Sequence, residues 1–308
     1  MDRPGLQIAG LDYELLYNGD GGCHWCESSE WHAKVFEQVV LSLSGFGAVV
    51  NARMTDEYNS GGERLQLSHG MYIRQGGRED YALIDFKDDV SEKKNRYLRE
   101  NIYDPSCRFI LKCQYSLDYG HMLGDKIRPY TYFEKAPVLF QGMLPALRKL
   151  AKGHKRLYYR GKAHEGRESI LRNLSDILIE EAPRLKRAEY YGDAAAASMG
   201  LALPGAGNVC HREIEYFGMG VVTIMPVLKN EFYEPIRPGI HYIGLAVDME
   251  RDGGDHVVEA IRQAYERYYN DEEFLALIRR NAMEWYDRNV WFPSSIPLTL
   301  RLLGVGRE

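Results

Sequence analysis

The sequence predicts an α/β protein built from parallel sheets flanked by helices, and three observations predict it. Short runs of β-branched and aromatic residues alternate with segments of helical spacing along the chain. Turns containing glycine and proline separate these segments, with no internal repeat or low-complexity tract between them. At 308 residues, 45% hydrophobic and 27% charged, the chain can bury one large core or two smaller ones, and two domains are the commoner outcome.

Taken in order, apolar residues follow helical spacing from Glu30 to Ser44, and a strand-like run covers Gly47 to Arg53. Tyr81 to Phe86 (YALIDF), Arg108 to Tyr115 (RFILKCQY) and Ile127 to Phe133 (IRPYTYF) read as further strands bounded by turn residues. A domain boundary is expected near Gly142 to Gly153. Beyond it KRLYYRG reads as a strand, EGRESILRNLSDILIE as a helix and AEYYGD as a short strand or loop. ASMGLALPG reads as another strand, with Ser198 and Leu201 to Leu203 buried. A helix around His211 to Phe217, a GVVTIMP strand and HYIGLAV follow. Gly254 to Tyr269 and Asp271 to Asn289 are spaced as helices, with Asp271 placed to cap the second. The tail after Pro293 (SSIPLTLRLLG) reads as one more helix.

A net charge of -5 argues against a general nucleic-acid binder, although basic clusters such as Arg148 to Arg160 remain available to smaller anions. The 22 tyrosines and 4 tryptophans suit stacking on sugars or bases, while most such rings simply pack. Five cysteines are an odd number and do not form a disulfide framework. Cys23, Cys26, His24 and His32 crowd one short stretch, but a structural zinc site usually takes a second, separated ligand pair, which the sequence does not clearly supply. The preferred reading is a Gly-rich loop opening a helix from Ser28 to Leu43, with metal binding by Cys23 and Cys26 left open. No stretch approaches the roughly 20 apolar residues of a membrane span. The first residues, MDRPGLQIAGLDYELLYNGDGG, lack a charged-then-apolar leader, so a cytoplasmic protein is expected.

Two stretches carry the chemistry. In LPGAGNVCHREIEYFGMGVVTIMPVLKNEFYEPIRPGIHY, a turn with Pro204, Gly205 and Gly207 leads into a short polar helix bearing Arg212 and Glu213. A buried-looking strand (Val221 to Met225) and a Pro-bounded loop ending at His241 and Tyr242 complete it. Glycines let backbone N–H groups approach a ligand, and a helix N-terminus favours phosphate. Upstream, YYRGKAHEGRESILR reads as an aromatic strand that breaks at Gly161 into a helix carrying Arg167. Arg160 and Arg167 are placed to reach an anion at the carboxyl edge of a sheet, where the planar guanidinium pairs well with phosphate. Each alone also reads as a solvated surface charge. Glu213 and Glu215 suit ribose or sugar hydroxyls, and Ser198 and Asn208 suit backbone or phosphate.

This order of parts resembles a known family: Arg160-Gly161 then Arg167, a glycine turn with Gly207 before Arg212, the strand Gly220 to Ile224, FYEP, and PGIHYI before an acidic stretch. It is similar to the sugar-nucleotide half of a GT-B glycosyltransferase. The nearest group is the capsule-associated and protein O-glucosyltransferase type (family 90-like), with exostosin-like transferases next. The resemblance spans about Ile127 to Val290 and is carried by order. It implies two Rossmann-like domains facing each other across a cleft: an acceptor-side domain over residues 1–145, a nucleotide-sugar domain over 146–290, and a C-terminal segment, 291–308, whose helix crosses back to the first domain.

The same resemblance implies transfer of a hexose from a UDP- or GDP-sugar to a glycan, lipid-linked or protein hydroxyl, with inversion and without cofactor or metal. Arginines, a lysine and helix dipoles would then stabilise the leaving diphosphate. The implied donor-binding residues are Arg160, Gly161, Arg167, Ser198, Gly207, Asn208, Arg212, Glu213, His241 and Tyr242, with Lys162 a weaker candidate. Asp20, Gly21, Gly22 and His24 would face the acceptor. The base would be Asp85 or Asp88, in LIDFKDD just past a strand, or Asp118 after KCQY. Each also reads as a turn or cap aspartate, so the expectation is for the set. The chain departs from the protein O-glucosyltransferase pattern in its short N-terminal half and in lacking a signal sequence and disulfides, which argues against a secreted or lumenal protein acceptor. A second reading is a noncatalytic nucleotide- or sugar-binding protein that has lost its base. A dehydrogenase or flavodoxin-like reading lacks the early G-x-G-x-x-G with an acid about 20 residues on.

Overall fold

The computed structural model describes residues 12–17, 49–54, 59–60, 63–64, 70–75, 80–85, 96–116, 124–133, 137–161, 167–179, 185–204, 209–249 and 251–302. The chain is a mixed α/β protein with parallel sheets, organised as two compact units. One comprises Met1–Pro137, Asn230–Tyr233 and Trp291–Glu308, the other Val138–Lys229 and Glu234–Val290. Among the described residues, no helix is long and apolar enough to cross a membrane.

The first unit is built on β1 (Asp12–Tyr17), β2 (Val49–Met54), a small hairpin of β3 (Asn59–Ser60) and β4 (Glu63–Arg64), β5 (Gly70–Gln75) and β6 (Tyr81–Asp85). Helix α1 (Arg96–Tyr103), β7 (Cys107–Lys112) and β8 (Ile127–Pro129) follow. The main sheet has the order β2-β1-β5-β6-β7-β8. β5 runs antiparallel to both neighbours, while the pairs β1–β2, β6–β7 and β7–β8 are parallel. β6 is buried along its whole length, which is why YALID reads as a continuous run without polar alternation. Leu98 and Ile102 of α1 pack with Leu83, Ile110 and Ile127. The chain returns to this unit in α8 (Phe292–Leu302), where Thr299 and Tyr130 share a buried hydroxyl hydrogen bond of 2.6 Å and the Phe292 ring lies 6.0 Å from Phe133.

At the carboxyl ends of β6 and β7 lies an internal ion pair. Asp85 and Lys112 are each 0% exposed, with Oδ2 and Nζ 3.2 Å apart. Two residues after Lys112, Gln114 accepts a hydrogen bond from the amide of Asn230, and the Glu231 N–H donates to the Tyr115 carbonyl at 2.9 Å. These bonds stitch Asn230–Tyr233 into the first unit.

The second unit contains α2 (Pro137–Leu147), α3 (Arg167–Asn173), α4 (Arg187–Ala195), β9 (Met199–Leu201), α5 (His211–Met219), β10 (Val222–Pro226), β11 (Ile243–Leu245), α6 (Gly254–Tyr268) and α7 (Glu272–Asn289). Its sheet, β11-β10-β9, is wholly parallel. Isolated parallel bridges, Tyr158 to Gly200 and Leu157 to Leu178, widen it beyond β9. Leu157, Leu201, Val222, Ile224 and Ile243 pack with Ile261, Leu275 and Ile278 of the two long helices. Asp271 caps α7, accepting from the Phe274 N–H at 3.0 Å, as the sequence predicts.

Helix α5 is the most enclosed helix described, buried from Glu213 through Met219. It begins at Cys210, whose N–H donates to the Glu213 carboxylate at 3.0 Å, and ends at Gly220 in the left-handed conformation (φ 70). Three cations hold its last carbonyls: Arg148 on Gly218 at 2.7 Å, Lys152 on Met219 at 2.9 Å and Arg279 on Gly220 at 3.0 Å.

Several expectations change in detail. AEYYGD is helical, inside α4, because a helix there buries Tyr191, Ala194 and Ala195 on one face. The helix expected through EGRESILRNLSDILIE stops at Asn173, and the chain turns so that Leu178 can pair with Leu157. Tyr130 to Phe133 lies outside β8, and β5, α1 and α2 have no counterpart in the sequence reading. The helix expected over Glu30 to Ser44 lies outside the described residues.

The internal ion pair makes a stability test. Lys112→Met alone removes the cation facing the buried Asp85 carboxylate and is expected to cost about 3–5 kcal/mol, whereas Lys112→Met with Asp85→Leu recovers most of that loss. Urea unfolding midpoints compare the two, and equal destabilisation of single and double variants contradicts the prediction.

Candidate functional site

The second unit's parallel sheet delivers two chain segments to its carboxyl edge. Past Tyr158 the chain runs through Tyr159 and Arg160 to an exposed Gly161, and past β9 it runs to Pro204. At that edge the first turn of α5 presents Arg212, and the start of α3 presents Arg167. Open α/β sheets bind ligands at this edge.

Arg212 is the centre of the group. Its guanidinium carbon stands 4.5 Å from the ring centroid of Tyr159, a cation–π stack that fixes its plane. Its Nη2 lies against Gly161, in the space a β-carbon would take, so a side chain here would have to displace the guanidinium. Its Nη1 is buried and has no hydrogen-bond partner among the described residues. Arg167 donates from Nη2 to the carbonyl of Pro204, tying α3 to the end of the β9 segment. Glu213 is 1% exposed. Burial pushes its pKa up from 4.5 to about 7, against the opposing pull of Arg212, the Cys210 N–H and Arg167. Two guanidinium groups and a buried carboxyl with a raised pKa therefore share one corner of the sheet. That arrangement can hold an anion.

The other candidates separate from this group. Arg160 is engaged with Asp193 of α4, its Nε and Nη2 each 2.9 Å from Oδ2. Ser198 stands at the amino end of β9, the far end from Pro204, and its hydroxyl donates to the Lys152 carbonyl at 3.0 Å. Glu215 is buried within α5 and accepts from the Tyr191 hydroxyl at 3.2 Å, so it does not face a sugar. His241 accepts the Arg237 N–H at Nδ1 (3.0 Å), which leaves the proton on Nε2; its pKa is lowered chiefly by burial, with Glu234 opposing. Tyr242 is buried, and its hydroxyl oxygen accepts the Leu228 N–H at 3.4 Å. The loop leading to His241 is pinned to α7, where the Trp285 indole donates to the Glu234 carbonyl at 2.7 Å and Asn289 to its carboxylate at 2.7 Å.

Asp85, a base candidate, needs correcting on physical grounds. A base must reach the hydroxyl it deprotonates, and Asp85 has no exposed surface and is bound to Lys112. Asp88, Asp118, Lys162, Gly207 and Asn208 lie outside the described residues, as do Asp20, Gly21, Gly22 and His24 with Cys23, Cys26 and His32. Among the described residues, no group of three or more His, Cys, Asp or Glu is arranged to hold a metal. Tyr159 is the site residue that the sequence reading did not single out. Its one sequence signal is its place directly before Arg160-Gly161.

No family model matches the chain, and neither does any curated protein. Among solved structures, it is similar to the pneumococcal O-GlcNAc transferase GtfA, crystallised with UDP and GlcNAc, at 12% sequence identity and a TM-score of 0.40. The match covers 72% of this chain and 52% of that one, so the chain spans about half the length of that protein.

Glu213 supplies a pH test. Its carboxyl has a pKa of 4.5 in the unfolded chain and about 7 in the fold, so between those values the folded state holds more protons. Stability then falls as pH rises from 4.5 through about 7, by up to a few kcal/mol. Glu213→Gln keeps an oxygen for the Cys210 N–H and removes the titration, so its unfolding free energy is expected to lose that slope. Parallel pH–stability curves for the variant and the wild type contradict the assignment.

Proposed function

We propose that this chain is a GT-B-type glycosyltransferase that moves a sugar from a UDP- or GDP-sugar to a hydroxyl acceptor, with inversion and without a metal. One observation carries the reading. Arg212, Arg167 and Glu213 gather beside Gly161 at the carboxyl edge of a parallel sheet, and they do so in the chain order that resembles the sugar-nucleotide half of such enzymes.

In this reading the acceptor oxygen attacks the anomeric carbon as the bond from that carbon to the β-phosphate oxygen breaks. Negative charge grows on the departing diphosphate, and preorganised guanidinium groups stabilise it there more than in the ground state. Arg212 supplies the main contact, with Arg167 adding field from the first turn of α3. Glu213, buried and holding the Cys210 N–H, adds its field to that of the two guanidinium groups. The first unit serves the acceptor and supplies the base that takes its proton, with Asp88 or Asp118 in that role. The acceptor is a glycan or a lipid- or protein-linked hydroxyl, and the protein works in the cytoplasm. A second reading, a nucleotide- or sugar-binding protein without transfer activity, draws on the complete burial of Asp85.

Thermal-shift measurements with UDP, GDP, ADP, CMP and their sugars test the donor. A ligand that binds only the folded state stabilises it by about 2.7 kcal/mol at a hundred times its Kd, and UDP or GDP is expected to do so. Arg212→Met is expected to weaken that ligand by about tenfold to a hundredfold, the range for a hydrogen bond to a charged group. Silence from every nucleotide rejects the reading. In a transfer assay, Asp88→Asn or Asp118→Asn is expected to abolish turnover while keeping the nucleotide-induced shift; full activity in both rejects the base assignment and leaves donor binding untouched.

A further inference from the structure

We infer that Tyr159 is a phosphate-binding residue, its hydroxyl and the Nη1 of Arg212 forming a two-donor receptor for an anion beside Gly161. The inference deepens the donor-site reading and rests on it for the nucleoside attached to that phosphate.

Tyr159 is 8% exposed, and its hydroxyl has no hydrogen-bond partner among the described residues. The same holds for Nη1 of Arg212, whose guanidinium is stacked on the ring of this tyrosine. Buried polar atoms in native proteins are nearly always paired, because leaving one unsatisfied forfeits its hydration. Two such atoms on stacked neighbours are therefore a signal, since a ligand that satisfies both recovers what the ligand-free fold gives up. Both side chains stand beside Gly161. Arg212 Nη2 fills the point where a β-carbon of Gly161 would stand, and that point is 3.3 Å from the Tyr159 hydroxyl. Gly161 is itself exposed, so this corner borders solvent.

The chemistry of the pair selects the ligand. A guanidinium only donates, and a phenol beside it has its proton free to give. Two unsatisfied donors on stacked side chains suit an acceptor-only oxygen with negative charge. A phosphate oxygen meets that requirement, and a sugar hydroxyl, which brings a proton of its own, meets it less well. The ring face beneath Arg212 adds orientation, because the stack holds the guanidinium plane while the hydroxyl marks where the oxygen sits.

Titration calorimetry with inorganic pyrophosphate, UDP and GDP tests this on the wild type, Tyr159→Phe, Gly161→Ala and Arg212→Met. Tyr159→Phe keeps the ring under the guanidinium and removes only the hydroxyl. It is expected to weaken pyrophosphate and the bound nucleoside diphosphate by about tenfold or more, while the ligand-free melting temperature holds or rises, since a stranded polar atom is gone. Gly161→Ala, which crowds Arg212, is expected to weaken the same ligands. Unchanged affinity in Tyr159→Phe overturns the inference, and if Arg212→Met still loses the diphosphate, the donor-site reading survives without Tyr159. Tyr159-dependent binding of pyrophosphate with no binding of UDP or GDP supports the receptor and removes the glycosyltransferase reading. A marked fall in the melting temperature of ligand-free Tyr159→Phe shows the hydroxyl to be structural and also overturns the inference.

Discussion

Helix α5 is held at the end farthest from the site, and that constraint places the site. Its last carbonyls would otherwise be unsatisfied in a buried setting, and Arg148, Lys152 and Arg279 each take one of them. Lys152 also reaches the carbonyl of Ala195 at the end of α4 (2.6 Å), so two helices share one ammonium. Arg148 is in turn fixed by a bidentate pair with Asp287 of α7, at 2.7 and 2.9 Å. Midway along the helix, Phe217 meets Trp285 of α7 edge-on at 5.9 Å. A helix pinned this way has little freedom to slide or rotate. Its first turn therefore delivers Arg212 and Glu213 to the sheet edge with the precision that a preorganised charged site needs.

The two units use buried charge in different ways. In the first, Asp85 and Lys112 neutralise one another at the ends of adjacent parallel strands, and each gives the other a reason to be buried. In the second, the charges at the equivalent edge are left partly unanswered: Arg212 keeps a nitrogen with no hydrogen-bond partner among the described residues, and Glu213 sits near its point of ionisation. A closed pair serves folding. An open set invites a ligand, because the ligand supplies the missing partner.

Much of the architecture could be read from residue order. YALIDF and RFILKCQY show as strands because both of their faces are buried, and the long C-terminal helices show through their apolar spacing and the Asp271 cap. The pairing of Arg160-Gly161 with Arg167 and Arg212 was also legible, and two of those three arginines do meet at one sheet edge. AEYYGD misled because two adjacent tyrosines favour strand locally, whereas burial of Tyr191, Ala194 and Ala195 together is satisfied only by helical spacing. Arg160, Ser198 and Glu215 misled for another reason. Their residue types suit a ligand, and their directions are set by Asp193, Lys152 and Tyr191, which lie far from them or on another element.

What the sequence by itself determined is the class of fold and the kinds of group available at the edge of the second sheet, since hydrophobic spacing, glycine placement and side-chain chemistry are local properties of the chain. Only the tertiary structure decided which of those groups remain open to a ligand. Whether a carboxylate or guanidinium is already paired depends on residues tens of positions away, and it is packing that sealed Asp85 against Lys112 and stacked Arg212 on Tyr159 beside Gly161.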